Sequence, residues 1–218
     1  MRKLTVTASV TLDGVMQAPG RPDEDTRGGF THGGWALPYD DRAKAEAMGR
    51  GMAQAGAMLF GRRTYEDFYR VWPRRAGNPF TGFLDGVTKY VTSRTLTEPL
   101  PWQNSRLLRG DAAETVAVLK QQPGPDLAVI GSGELITSLA RHGLVDEYVL
   151  LIHPLVLGTG RRLFPGGTPP VHLRLAGSEA TGSGVIIATY HGPPPARPRP
   201  PAGDVLPNVL PAETSRGA

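Results

Sequence analysis

The sequence predicts an α/β domain with a mostly parallel sheet and antiparallel strands added at one edge, and three observations lead there. Short apolar runs such as Ala57 to Phe60, Leu127 to Ile130 and Tyr148 to Ile152 have the length of strands buried on both faces. Segments with helical spacing or composition separate these runs through most of the chain. Near the C-terminal end, Leu173 to Leu175 and Val185 to Tyr190 follow one another with no helix between them.

In chain order, Leu4, Val6, Ala8 and Val10 alternate with Lys3, Thr5, Thr7 and Ser9, which marks a first strand. It ends at the turn signal Leu12-Asp13-Gly14. Gln17 to Gly34 is rich in Gly, Pro and Asp, and its length suits a functional loop. Asp41 to Ala55 is helical by composition, with Asp40 or Asp41 as its N-cap. Ala57 to Phe60 is a strand broken by Gly61-Arg62-Arg63-Thr64, and Tyr65 to Tyr69 starts a helix capped by Thr64.

The Pro and Gly content from Trp72 to Gly82 predicts a loop, and Phe83 to Val87 a helical turn. Lys89 to Thr92 is a third strand, ending at Ser93-Arg94. Ser105 to Leu108 is a weaker strand, and Ala112, Val116 and Leu119 mark a helix running to Gln121. Asp126 to Leu139 then reads as strand, glycine turn and helix, with Gly131-Ser132-Gly133 at the break.

Composition excludes several classes of protein. The chain of 218 residues has no cysteine, which rules out disulfides, thiolate nucleophiles and Cys-based zinc sites. His32, His142, His153, His172 and His191 show no metal-ligand spacing, so no metal site is expected. The +4 charge reflects 20 Arg against 4 Lys, scattered rather than massed, which argues against a nucleic-acid surface. No run approaches the roughly 18 apolar residues of a membrane span, and the N-terminus lacks a signal-peptide core. A cytoplasmic protein without membrane or nucleic-acid partners is the expectation. From Pro193 onward the chain holds eight of its 21 prolines. The expected division is therefore one domain, residues 1–192, and a disordered tail, residues 193–218.

Three strand ends carry the candidate chemistry. Gly61-Arg62-Arg63-Thr64 and Thr92-Ser93-Arg94 put hydroxyls and guanidiniums past strands, and Gly131-Ser132-Gly133 puts bare backbone at a helix N-terminus. Open N–H groups and the helix dipole favour a phosphate there, although a plain tight turn would use the same glycines. Ligands of open α/β sheets collect beyond the carboxyl ends of the strands. Bidentate arginine suits an extra phosphate, and the combination suggests NADP. The ordinary dinucleotide fingerprint fits less well, because Ile136 replaces its third glycine and Leu150 and Leu151 stand where its acid belongs. Trp35 reads as a loop anchor or a substrate platform. Asp40 is a helix cap or a pocket carboxylate that binds and protonates a ring, and Asp13 is a turn residue or a second such acid.

These motifs together resemble the dihydrofolate reductase-like family, most closely the branch of the reductase domain of the bifunctional riboflavin-biosynthesis protein. The resemblance rests on Ser9 to Gly14 (SVTLDG), Phe60 to Glu66 (FGRRTYE), Tyr90 to Leu96 (YVTSRTL), Val129 to Ile136 (VIGSGELI) and Asp146 to Phe164. It implies helices on both faces of the sheet, a homodimer and NADPH-dependent reduction of a C=N or C=O bond in a small-molecule substrate. Gly61, Arg62, Arg63, Thr64, Thr92, Ser93 and Arg94 would take the adenosine 2′-phosphate end. Ile130, Gly131, Ser132, Gly133, Glu134, Leu135 and Ile136 would take the pyrophosphate and ribose, and Ala8, Asp13 and Gly14 would lie near the nicotinamide. Trp35 to Asp40 is similar to the W-x-L-P-x-D of dihydrofolate reductases, which assigns Trp35 and Asp40 to the substrate. Two alternatives remain beside this reading: a flavin- or deazaflavin-dependent reductase, and a non-catalytic nucleotide-binding protein. The zinc deaminase half of the riboflavin protein has no counterpart in a cysteine-free chain.

Overall fold

The first strand, β1 (Leu4–Thr11), buries Leu4, Val6, Ala8 and Val10, and parallel neighbours cover both of its edges. The computed structural model describes residues 1–75 and 77–193, leaving aside the side chains of residues 52 and 53. The expected Pro-rich tail lies outside them except for Pro193.

Eight strands form one sheet in the order β4-β3-β2-β5-β1-β6-β8-β7. They are β1, β2 (Ala57–Gly61), β3 (Thr88–Thr92), β4 (Ser105–Leu108), β5 (Leu127–Ile130), β6 (Glu147–His153), β7 (Arg174–Ala180) and β8 (Ile186–His191). Strands β1 to β6 pair in parallel, whereas β8 pairs antiparallel with both β6 and β7. This is the predicted sheet with its antiparallel edge.

The helices are α1 (Arg42–Gln54), α2 (Arg62–Val71), α3 (Pro79–Gly86), α4 (Ala112–Gln121) and α5 (Gly133–Arg141). One core joins Val116, Leu119, Ile136 and Leu139 of α4 and α5 to Leu4, Val6, Leu59 and Val129. On the opposite face Tyr65 and Leu84 of α2 and α3 pack on Met58, Phe60 and Val91, and α1 sets Ala47 and Met48 against Leu151 and Ile187. Each fully buried aliphatic side chain contributes roughly 1.5–3 kcal/mol. Parallel pairing of β1 to β6 brings their carboxyl ends to the same edge of the sheet. No helix among the described residues is long and apolar enough to cross a membrane.

Several local expectations change. Thr64 lies inside α2, whose N-cap is Gly61 without a side-chain cap, and its hydroxyl bonds elsewhere. The segment read as loop up to Gly82 turns helical at Pro79, because Asn78 accepts from the Phe80 N–H and proline suits the first helical position. Asp41 rather than Asp40 caps α1, accepting from the Lys44 N–H at 2.8 Å. Strand β7 extends to Ala180 because its partner β8 supplies the hydrogen bonds that its own polar sequence does not advertise.

Candidate active site

Strands β2 and β5 are parallel neighbours, so their carboxyl ends release Gly61 and Gly131 side by side into α2 and α5. Gly131 has φ +65° and Ser132 φ +57°. This left-handed pair bends the chain sharply enough to start α5 directly above the strand. A Cβ on Gly131 would stand 3.3 Å from Thr64 Cγ2, and one on Gly133 would stand 2.7 Å from Met16 Sδ. Glycine is favoured at the first position by its conformation, whereas a side chain at the second would displace the flexible end of Met16.

Two hydrogen bonds tie the helix starts together: the Ser132 N–H donates to Thr64 Oγ1 and the Gly61 N–H donates to Ser132 Oγ, each at 3.0 Å. The N–H groups of Gly133, Glu134 and Leu135 find no protein acceptor among the described residues. Three donors therefore face outward at the positive end of the α5 dipole.

A cleft of about 1290 Å³ runs over this corner. Of the predicted residues, Ala8, Asp40, Arg63, Thr64 and the stretch from Ile130 to Glu134 line it. Ile136 is fully buried and Leu135 nearly so, and their side chains serve the α5 core. Arg27, which no sequence signal marked, and Arg161, which lies within the Asp146 to Phe164 stretch but had no assigned role, join Arg63 in bonding Glu134 at the cleft mouth.

The third strand end lies one strand further out. Gly61 registers with Thr92, and Arg62 crosses to Thr95 Oγ1 at 2.6 Å while pairing with Glu66 at 2.8 Å. Ser93 Oγ accepts the N–H groups of Thr95 and Leu96, and Thr92 Oγ1 donates to the Phe60 carbonyl. Arg62, Ser93 and Thr95 thus form one polar corner beside the cleft. Arg94 does not join it. Its guanidinium extends to Asp111, the cap of α4, at 3.1 Å.

Asp13 and Gly14 form the turn after β1, with Gly14 at φ +80°. The Asp13 carboxylate accepts from the Thr11 hydroxyl and from the N–H groups of Leu157 and Gly158. The Thr11 hydroxyl, with help from those backbone groups, holds its pKa down at about 2. A group so acidic stays ionised at neutral pH. It anchors the 155–158 loop to the end of β1 and carries no proton to give.

Trp35 is buried and donates from Nε1 to the Gln17 carbonyl at 2.7 Å, which fixes the loop after β1. Its ring meets His153 edge-on at 5.0 Å. Burial, followed by the nearby charge of Lys44, lowers the His153 pKa and favours the neutral ring. Asp40 sits at the cleft with one carboxylate oxygen 2.7 Å from Lys44 Nζ and the other without a protein partner among the described residues. Glu24, on the long loop, also lines the cleft. Burial raises its pKa against the opposing hydrogen bonds from Gly20 and Arg21.

The sequence matches the RibD C-terminal domain family over residues 2–187. The uncharacterized protein YyaP of Bacillus subtilis (strain 168) is 29% identical over 197 residues, spanning 87% of this chain and 95% of YyaP. The uncharacterized YwjB of the same organism is 35% identical over 140 residues, or 56% of this chain and 76% of YwjB. A putative riboflavin biosynthesis protein from Shewanella sp. PV-4 superposes with a TM-score of 0.61 at 22% identity, covering 88% of this chain and 99% of that one. A pyrimidine reductase-like protein from Corynebacterium diphtheriae gives 0.60 at 12% identity, covering 88% and 92%. Acinetobacter baumannii RibD gives 0.56 at 15%, covering 89% of this chain and 59% of RibD. These structures share the dihydrofolate reductase-like α/β fold anticipated from the motifs. With nearly the whole described chain matched and that fold in place, the protein belongs to the RibD C-terminal domain family, whose members are reductase-type oxidoreductases.

Proposed function

We propose that the protein is an NADPH-dependent reductase that transfers a hydride to a C=N or C=O bond of a small heterocyclic or carbonyl substrate. The observation that carries this reading is the pair of helix N-termini tied by Thr64 and Ser132 above one cleft, with an arginine corner one strand away. A dinucleotide presents its phosphates at such a spacing of strand ends. The N–H groups of Gly133, Glu134 and Leu135 would hold the pyrophosphate, and Arg62 with Ser93 and Thr95 would hold the 2′-phosphate. The family supports the assignment, since its reductases generally use NADPH.

The bound cofactor supplies the hydride, and the chain supplies position and a proton. Ala8, which lines the cleft, would form part of the floor on which donor and acceptor meet, whereas Asp13 and Gly14 turn the chain at the end of β1 outside that lining. Asp40, with its unpartnered oxygen, would accept the N–C–N edge of a substrate ring and relay the proton, while Lys44 keeps the carboxylate oriented. Trp35 supports that end by locking the loop rather than by stacking on substrate. A homodimer belongs to the same reading, and analytical ultracentrifugation tests it.

The direct test mixes purified protein and NADPH with dihydropterins, aminopyrimidine ketones and quinones and follows NADPH oxidation. Enzyme-dependent oxidation with any of them supports the proposal. NADPH binding without turnover across the panel would leave a nucleotide-binding protein instead.

A further inference from the structure

Three guanidiniums converge on one carboxylate oxygen at the cleft mouth. Oε1 of Glu134 lies 3.1 Å from Arg27, 3.0 Å from Arg63 and 3.2 Å from Arg161. The three come from separate segments: the long loop after β1, the first turn of α2 and the segment after β6. Arg27 also pairs with Asp25, whereas Arg63 and Arg161 have no other acidic partner among the described residues. Three positive charges therefore face two negative ones, and the excess sits beside the outward N–H groups of Gly133 and Glu134.

Exposed pairs of this kind are worth only about 0.2–1 kcal/mol each, so they exchange readily for a better anion. A diphosphate carries more charge than one carboxylate and has enough oxygens to engage several guanidiniums bidentately. Glu134 is itself the second residue of α5. Its side chain thus gathers the arginines at the very helix start whose N–H groups remain open.

We propose that Glu134 is a built-in counter-ion that holds Arg27, Arg63 and Arg161 converged and yields them to the diphosphate of the incoming ligand. This rests on the dinucleotide reading above and extends it, because it makes Arg27 and Arg161 diphosphate ligands and Glu134 their competitor. The carboxylate keeps the long loop drawn toward α5 through Arg27, and it lowers affinity for any diphosphate by occupying the same guanidiniums.

Isothermal titration with inorganic pyrophosphate tests this on the full chain. Glu134→Gln should bind pyrophosphate about fivefold more tightly than the unaltered protein, a change of roughly 1 kcal/mol, and Arg161→Ala about fivefold more weakly. Glu46→Gln makes the same charge change on the exposed face of α1, where Glu46 pairs with Arg42, and should alter binding less than twofold. No tightening in Glu134→Gln, equal tightening in Glu46→Gln, or no detectable pyrophosphate binding by any of these proteins would overturn the inference. Should Glu134→Gln fail to fold, Glu134→Asp withdraws the carboxylate by one methylene and must itself tighten binding. Pyrophosphate lacks a nicotinamide, so the outcome is separable from the reductase reading. Unchanged pyrophosphate binding in a protein that oxidises NADPH removes this inference alone, whereas tighter binding without any turnover removes the reductase and leaves it.

Discussion

Thr64 accepts the Ser132 N–H at 3.0 Å across 68 residues of sequence, and this bond sets the start of α2 against the start of α5. Thr64→Val keeps the side-chain shape and removes the acceptor, leaving the Ser132 N–H unpaired at a penalty of about 1–3 kcal/mol. The expected result is roughly a tenfold rise in the KM for NADPH with a smaller change in kcat, measured by steady-state kinetics. An unchanged KM would mean that the two helix starts hold their places without the tie.

Arg62 and Arg94 separate experimentally although sequence placed both at the 2′-phosphate. Arg62 faces Thr95 beside Ser93, whereas Arg94 pairs with the α4 cap Asp111. Arg62→Ala should reduce the preference for NADPH over NADH about tenfold to a hundredfold, in keeping with one lost bidentate phosphate contact. Arg94→Ala should leave that preference within about threefold. Equal losses in the two variants would contradict the structure's distinction.

Gly131→Ala forces a side chain into φ +65° and sets its Cβ 3.3 Å from Thr64 Cγ2. The left-handed conformation alone disfavours alanine by about 1–2 kcal/mol. Thermal unfolding should show a matching loss of stability, and NADPH binding should weaken with it. Undiminished binding would mean that the turn does not shape the site.

Asp13 sets an acid-limb dependence. Its folded pKa of about 2 lies below the ordinary carboxylate value of 3.8, chiefly through the Thr11 hydroxyl. The folded state therefore prefers the ionised form, so this stabilisation is complete above pH 4 and is lost as pH falls from about 4 towards 2. Asp13→Asn should unfold with a shallower dependence on pH in that window and should loosen the 155–158 loop in hydrogen exchange. An identical acid profile would contradict the anchoring role.

Much of this fold was legible because local patterns coincide with tertiary demands. The apolar run of β5, the glycine break and the stripe of Leu135, Ile136 and Leu139 each record burial directly. The second half of α3 was visible as the turn from Phe83 to Val87, but its start was missed because the signals from Trp72 to Gly82 read as breakers, although Asn78 and Pro79 start the helix there. The arginine cluster was illegible for a different reason. Arg27 and Glu134 lie 107 residues apart, and no periodicity reports which guanidinium finds which carboxylate. Asp13 and Trp35 were visible as candidates, but only their partners assign them to loop anchoring.

The proposed site takes NADPH through its pyrophosphate and its 2′-phosphate. Calorimetric titration of the full chain with NADPH and, separately, with NADH tests it most directly. NADPH should bind with micromolar or tighter affinity, at least about tenfold tighter than NADH, a difference of roughly 1.4 kcal/mol. Absence of NADPH binding, or equal affinity for the two nucleotides, would contradict it.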